Sequence, residues 1–304
     1  MPVPLRDVDM DTVRGRSVTK GPMTQQHSLG PELRVRAGQG HALARWACGV
    51  LADAGVQAAP IKGVLLNATV YRTLPPCPVG DVDLLVVPSQ FDPAEHALAA
   101  AGAERIDAQR HASTWRVPAF PLLLDLHREL IDPAWFALSA DGVMRRATTS
   151  DAPFAPVSVA LLDAYDVFVH LVADFAKSRR GARFFERLRD LRVWARDHRL
   201  DPILCAQRLH RCGVQRAARY VLGVASQREG DRFAASVVAA LPADPLGELL
   251  AALAQRGMQW RPDGDVATLL LGHALNTTLP RGARSLLRAT LAPRLQRHVR
   301  PRPT

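Results

Sequence analysis

The chain has 304 residues, 48% hydrophobic and 22% charged, which is enough apolar mass for a full core and enough length for two modest domains. No stretch approaches the roughly 18 apolar residues of a membrane span, and no basic segment leads into an apolar core with a cleavage site, so a cytoplasmic protein without membrane attachment is expected. The formal charge is +10, but lysine occurs only at Lys20, Lys62 and Lys177, and the arginines are spread over predicted helices. That distribution reads as solvated helix faces and ion pairs more than as a nucleic-acid track. Cys48, Cys77, Cys205 and Cys212 lie far apart or at helical spacing with no CxxC, which argues against a structural zinc or a disulfide framework.

Residues 1–28 mix Pro, Gly, Asp, Arg and Thr without apolar periodicity, and a flexible arm is expected there. Over 31–54 apolar residues recur at helical spacing (Leu43, Trp46, Ala47, Val50, Leu51) until Gly55, which predicts the first helix. A short strand ending near Ile61 then meets a Lys62-Gly63 turn and a helix bearing Val64, Leu65, Ala68 and Tyr71. A strand entering a helix through glycine suits phosphate, because the first helical amides point outward. A proline-rich loop and Gly80 lead into 81–87, short, β-branched and bounded by Pro88, which reads as a central strand.

A helix over 92–101 and strands near 104–107, 113–117 and 121–126 complete a mixed α/β half. Beyond about residue 150, Ala-, Leu- and Arg-rich stretches break at Asp201-Pro202, Cys212-Gly213, Leu241-Pro242 and Arg261-Pro262, predicting an all-α half. The expected class is α+β. Its organisation would be an arm at 1–28, a mixed-sheet domain at 29–150, a helical domain at 151–296 and a basic tail at 297–304.

Aspartates two apart on a strand project from one face, so Asp81 and Asp83 reach one point in space. Close like charges need a cation between them, and magnesium takes one or two carboxylates together with water and phosphate oxygens. Asp125 interrupts the apolar run Leu122 to Leu126, where an unpartnered buried charge is costly; on a neighbouring strand it would complete the cluster. The plainer alternatives are a solvated strand end for Asp83 and an ion pair for Asp125, with Arg128 or an arginine of the helical half. His127, next but one to Asp125, points to the same face, as either a site residue or an ordinary strand-end polar group.

With these residues in view, the segment IKGVLLNATVYRTLPPCPVGDVDLLVV, followed by LLLDLH, resembles the uncharacterised nucleotidyltransferase-like proteins of the DNA polymerase β superfamily, best over about residues 55–130. The resemblance implies a nucleotidyltransferase-like domain closed by a helical one. It implies a nucleotide-binding, metal-binding transferase using Mg2+ (or Mn2+) and an NTP such as ATP. Asp81, Asp83 and Asp125 would be the catalytic and metal residues, and Lys62, Gly63 and Gly80 would bind the nucleotide. His170 and Asp190 are carried over as further candidates from DVFVHLVADF and FFERLRDLRVW. Two departures stand out: Lys-Gly replaces the more frequent Gly-Ser or Gly-Gly, and Cys77 replaces an arginine that could clamp phosphate.

The leading expectation is transfer of a nucleoside monophosphate from NTP to a hydroxyl or phosphate acceptor on a small molecule, a protein or an RNA end. The competing expectations are a binding or regulatory protein that keeps the fold without turnover, and a basic nucleic-acid-binding protein with an incidental acidic trio.

Overall fold

In the computed structural model, residues 30–72, 75–131, 136–177, 184–245, 247–249 and 252 are described. The long first helix, α1 (Gly30–Asp53), forms because Leu43, Ala44, Ala47, Cys48 and Leu51 make one stripe, each at most 2% exposed. It lies against a five-stranded sheet of order β1-β2-β5-β4-β3. The strands are β1 (Ala59–Ile61), β2 (Asp81–Leu85), β3 (Glu104–Ala108), β4 (Ala112–Arg116) and β5 (Leu123–His127). β2 and β5 run parallel, and the other neighbouring pairs are antiparallel.

Period-two alternation gives the sheet two different faces. Val82 and Leu84 of β2 and Leu124 and Leu126 of β5 point to α1 and to α3 (Phe91–Ala100), making one core with Phe91, Leu98 and Phe154. The opposite face carries Asp81, Asp83 and Leu85. Leu85 joins a second core with Leu65 and Leu66 of α2 (Lys62–Thr69) and with the helices of the C-terminal half. The helices therefore cover the face on which the aspartates stand.

The C-terminal half is built from α5 (Ala164–Lys177), α6 (Phe184–Asp197), α7 (Pro202–Arg211), α8 (Gln215–Glu229) and α9 (Arg232–Ala240); the short α4 (Ala140–Met144) precedes it. Asp201 caps α7 by accepting from the amides of Ile203 and Leu204, with Pro202 at the first turn. Gly230, at φ +64°, closes α8 in the left-handed conformation. The fully buried Asp166 carboxylate accepts from Arg146 Nε at 2.7 Å and also from Arg208, tying α5 to the turn after α4 and to α7.

The α+β class and the break points at Asp201-Pro202, Cys212-Gly213 and Leu241-Pro242 agree with the structure. One expectation is corrected: the region after residue 150 is not wholly helical. β6 (Thr148–Ser150) pairs with β7 (Val159–Leu161), and the Ala160 amide donates to Ala58 O at 2.9 Å beside β1. Three-residue strands are too short to show an alternation, so the apolar run around Val159 blends with the helix that follows. The arm at 1–28, the break at Arg261-Pro262 and the tail at 297–304 lie outside the described residues.

Leu84, fully buried on the central strand, supports the first core. Leu84→Ala is expected to cost about 2–5 kcal/mol in urea unfolding, against about 0.5 kcal/mol or less for Ile106→Ala on the exposed edge strand. Similar costs for the two would contradict this arrangement.

Candidate functional site

The register of β2 against β5 assembles the site: Asp83 is paired with Asp125, Leu85 with His127 and Asp81 with Leu123. Strands lie about 4.8 Å apart, so the carboxylates of Asp83 and Asp125 stand side by side on the helix-covered face. One ligand atom from each of Asp83, Asp125 and His127 falls within 4.8 Å of the others. Asp81 shares the face one step earlier on β2, is exposed, and lies outside that close group.

Asp83 is 3% exposed, and its Oδ1 accepts two hydrogen bonds: from Lys62 Nζ at 2.5 Å and from His127 Nε2 at 2.8 Å. Burial alone would raise the Asp83 carboxyl, but Lys62 and His127 outweigh it and hold it well below the usual carboxylate range. Burial likewise works against the Lys62 ammonium. Asp83 in contact, with Asp174 and Asp81 nearby, overrides it and keeps the charge in place. Because ionised Asp83 can only accept, His127 Nε2 is the donor. His127 Nδ1 and Asp125 Oδ1 are buried without a hydrogen-bond partner among the described residues. At Asp81, partial desolvation and then the Asp83 charge raise the carboxyl.

The local backbone explains how Lys62 reaches Asp83. No separate turn intervenes: α2 starts at Lys62 directly after β1, and Lys62 itself takes φ +54°. A non-glycine residue there costs about 1–2 kcal/mol. Gly63 is not the left-handed residue, and a Cβ on it would meet Pro78 O at an ordinary 3.5 Å. The Asn67 side chain donates to Cys77 O at 3.0 Å and accepts from the Cys77 amide at 2.9 Å, fixing the loop that leads to Gly80 and Asp81. Cys77 Sγ is buried and donates to Gly63 O at 3.5 Å.

An open cleft lies in front of Lys62, Asp81 and Asp83. Lys62, Gly63, Gly80, Asp81 and Asp83 form its floor, while Leu171 and Asp174 of α5 and Glu186, Arg187 and Asp190 of α6 form the facing wall. Arg187 Nη1 donates to Asp174 at 2.8 Å, and Tyr71 OH donates to Asp190 at 2.6 Å. Arg189 donates to Tyr71 OH at 3.1 Å and to Pro75 O at 3.0 Å, bracing α6 against the loop before Cys77. His170 sits buried on α5, and its Nε2 has no partner among the described residues.

Residues 33–229, well over half of the chain, match the family described as uncharacterised nucleotidyltransferase. The chain belongs to that family. An antigenic nucleotidyltransferase-like protein from Paracoccidioides brasiliensis is similar in structure at 14% identity, over 68% of this chain and 95% of that one, with a TM-score of 0.40. No curated protein matches the sequence.

For a member of the nucleotidyltransferase family, a divalent cation is the relevant group to test against the geometry. The residues fit one: two carboxylates and an imidazole converge, and Asp125 Oδ1 is buried without a hydrogen-bond partner among the described residues. The structure brings Asp83, Asp125 and His127 together behind Lys62, and it places Asp81, Gly63, Gly80 and Asp190 around the cleft. Asp125, His127 and His170 are not among the residues that line the cleft. Asp174, Glu186 and Arg187 were not singled out from the sequence, and Tyr71, expected on the helix after Gly63, lies past the end of α2 at Thr69. The helical i, i+4 spacing of His170 and Asp174 within an otherwise apolar helix was the signal for the first of them.

Burial, acting against the nearby Asp174, lowers His170 from its ordinary value to about 4. The unfolded histidine takes a proton near pH 6.5 and the folded one only near 4, so stability falls as pH drops through that window, by about 3 kcal/mol in all. In urea unfolding between about pH 6.5 and pH 4.5, wild type is expected to lose about 2–3 kcal/mol more than His170→Leu. Equal losses would remove His170 as the cause.

Proposed function

We propose that the cleft binds a nucleoside triphosphate such as ATP together with a divalent cation, magnesium or manganese. In this reading the protein transfers the nucleoside monophosphate to a hydroxyl or phosphate acceptor on a small molecule, a protein or an RNA end, in the cytoplasm. The observation that carries the reading is the side-by-side pairing of Asp83 with Asp125 around an acceptor oxygen that lacks a partner. A cation held by Asp81, Asp83 and Asp125 would supply charge neutralisation on the triphosphate.

The chain's own residues divide the remaining work. Lys62, on the floor of the cleft and partly exposed, offers its ammonium to phosphate, and the backbone around Gly63 and Gly80 borders the same space. His127 orients Asp83 by donating to it. Asp125, beside Asp83 on β5, would help activate the acceptor hydroxyl through the cation it shares with Asp83. Family membership supports transferase chemistry and leaves the acceptor open.

A second reading, a binding or regulatory protein without turnover, draws on the Lys62–Asp83 ion pair, which already neutralises Asp83, and on a buried Cys77 thiol where a guanidinium would clamp phosphate. A nucleic-acid-binding reading gains little. Arg146, Arg187, Arg192, Arg208, Arg216 and Arg219 are all engaged with carboxylates.

Magnesium with at least one NTP at about a hundred times its dissociation constant should raise the wild-type unfolding midpoint by a few degrees, as about 2.7 kcal/mol of binding requires. The shift should vanish in Asp81→Ala/Asp83→Ala, and α-phosphate label should pass from that NTP to an acceptor with wild type alone. Failure of all four NTPs to shift wild type would reject the proposal.

A further inference from the structure

Asp83 Oδ1 is crowded. A carboxylate oxygen has about two lone-pair positions, and here Lys62 Nζ and His127 Nε2 take both, at 2.5 and 2.8 Å. A magnesium ion approaches its oxygen ligands to about 2.1 Å, so it cannot share that oxygen with both donors. On the other oxygen of Asp83 it would still face a full positive charge a few ångströms away.

The two donors differ in freedom. His127 is held by the β2–β5 register and is 6% exposed. Lys62 carries its charge on a four-carbon stem, its side chain is 27% exposed, and it lines the cleft. Its backbone at φ +54° is a conformation that an unbranched side chain adopts only against a cost, which suits a residue whose place at Asp83 has a role. Asp174, the next carboxylate acting on the Lys62 ammonium, is already paired with the Arg187 guanidinium, which offsets its charge.

We propose that Lys62 is a resident counter-cation of the metal site: its ammonium occupies the cation position at Asp83 until a triphosphate in the cleft draws it away, so that divalent-cation binding is conditional on nucleotide. The proposal rests on the nucleotide-and-metal reading above and assigns to Lys62 a positioning role beyond phosphate contact. The triphosphate supplies the only new negative charge the ammonium needs, and departure of the ammonium leaves Asp83 with the charge deficit that a dication corrects. Metal and nucleotide therefore bind with positive coupling, transmitted through one side chain.

The test is Mn2+ binding, read by loss of the free-ion paramagnetic resonance signal, for wild type and Lys62→Met, each without nucleotide and with a non-hydrolysable ATP analogue. Wild type is expected to bind Mn2+ weakly alone and at least tenfold more tightly with the analogue. Lys62→Met should bind Mn2+ alone at least tenfold more tightly than wild type, and the analogue should then add little. Lys62→Gln repeats the comparison if Lys62→Met melts well below wild type. Mn2+ binding by both variants no tighter than by wild type, with nucleotide-promoted binding intact in wild type, overturns the counter-cation role and leaves the nucleotidyltransferase reading standing. Absence of Mn2+ binding in every protein, with and without analogue, overturns both.

Discussion

Two carboxylates side by side on adjacent parallel strands repel each other, and the rest of the site is organised around that repulsion. The β2–β5 register places Asp83 against Asp125, and Asp83 is almost wholly removed from water. Two neighbours supply positive charge or a donor to Asp83. Lys62 reaches in from the head of α2, and His127 donates from two positions further along β5. Without them, burial would push Asp83 toward its neutral form; with them it stays ionised. The cost of the pairing is visible in the left-handed backbone of Lys62 and in the unpartnered oxygen of Asp125.

The helical half sets the width of the space in front of the aspartates. Leu85, Leu65 and Leu66 share a core with Val172 and Phe168 of α5, so the sheet floor and the helical wall are parts of one packed unit. The Asp174–Arg187 pair links α5 to α6, and Tyr71, Asp190 and Arg189 fasten α6 to the loop that carries Cys77. Burial pushes the Cys48 and Cys205 thiols up to about 12, which suits packing and not nucleophilic work. Among the described residues no helix is long and apolar enough to cross a membrane.

Much of this was legible in the sequence because it rests on periodicity. Asp81 and Asp83 at spacing two had to share a strand face, and Asp125 within a leucine run had to find company. What could not be read was register, since only the pairing of Asp83 with Asp125, and of Leu85 with His127, decides that His127 joins the close group while Asp81 stays outside it. A lysine before a glycine reads as an ordinary turn, and nothing local shows that Lys62, not Gly63, takes the positive φ. The hairpin of β6 and β7 escaped because three-residue strands leave no pattern, and the cleft wall escaped because Glu186 and Arg187 look like any charged helix face until α6 is docked.

The central claim is that Asp83 and Asp125 jointly hold a cation that Lys62 yields to. The most direct measurement is the anomalous difference density of Mn2+ in crystals grown with a non-hydrolysable NTP analogue. The account predicts a peak about 2–2.3 Å from oxygens of both Asp83 and Asp125, with Lys62 moved off Asp83 and onto phosphate. A peak elsewhere, or density showing Lys62 still seated on Asp83 beside a bound nucleotide, would contradict it.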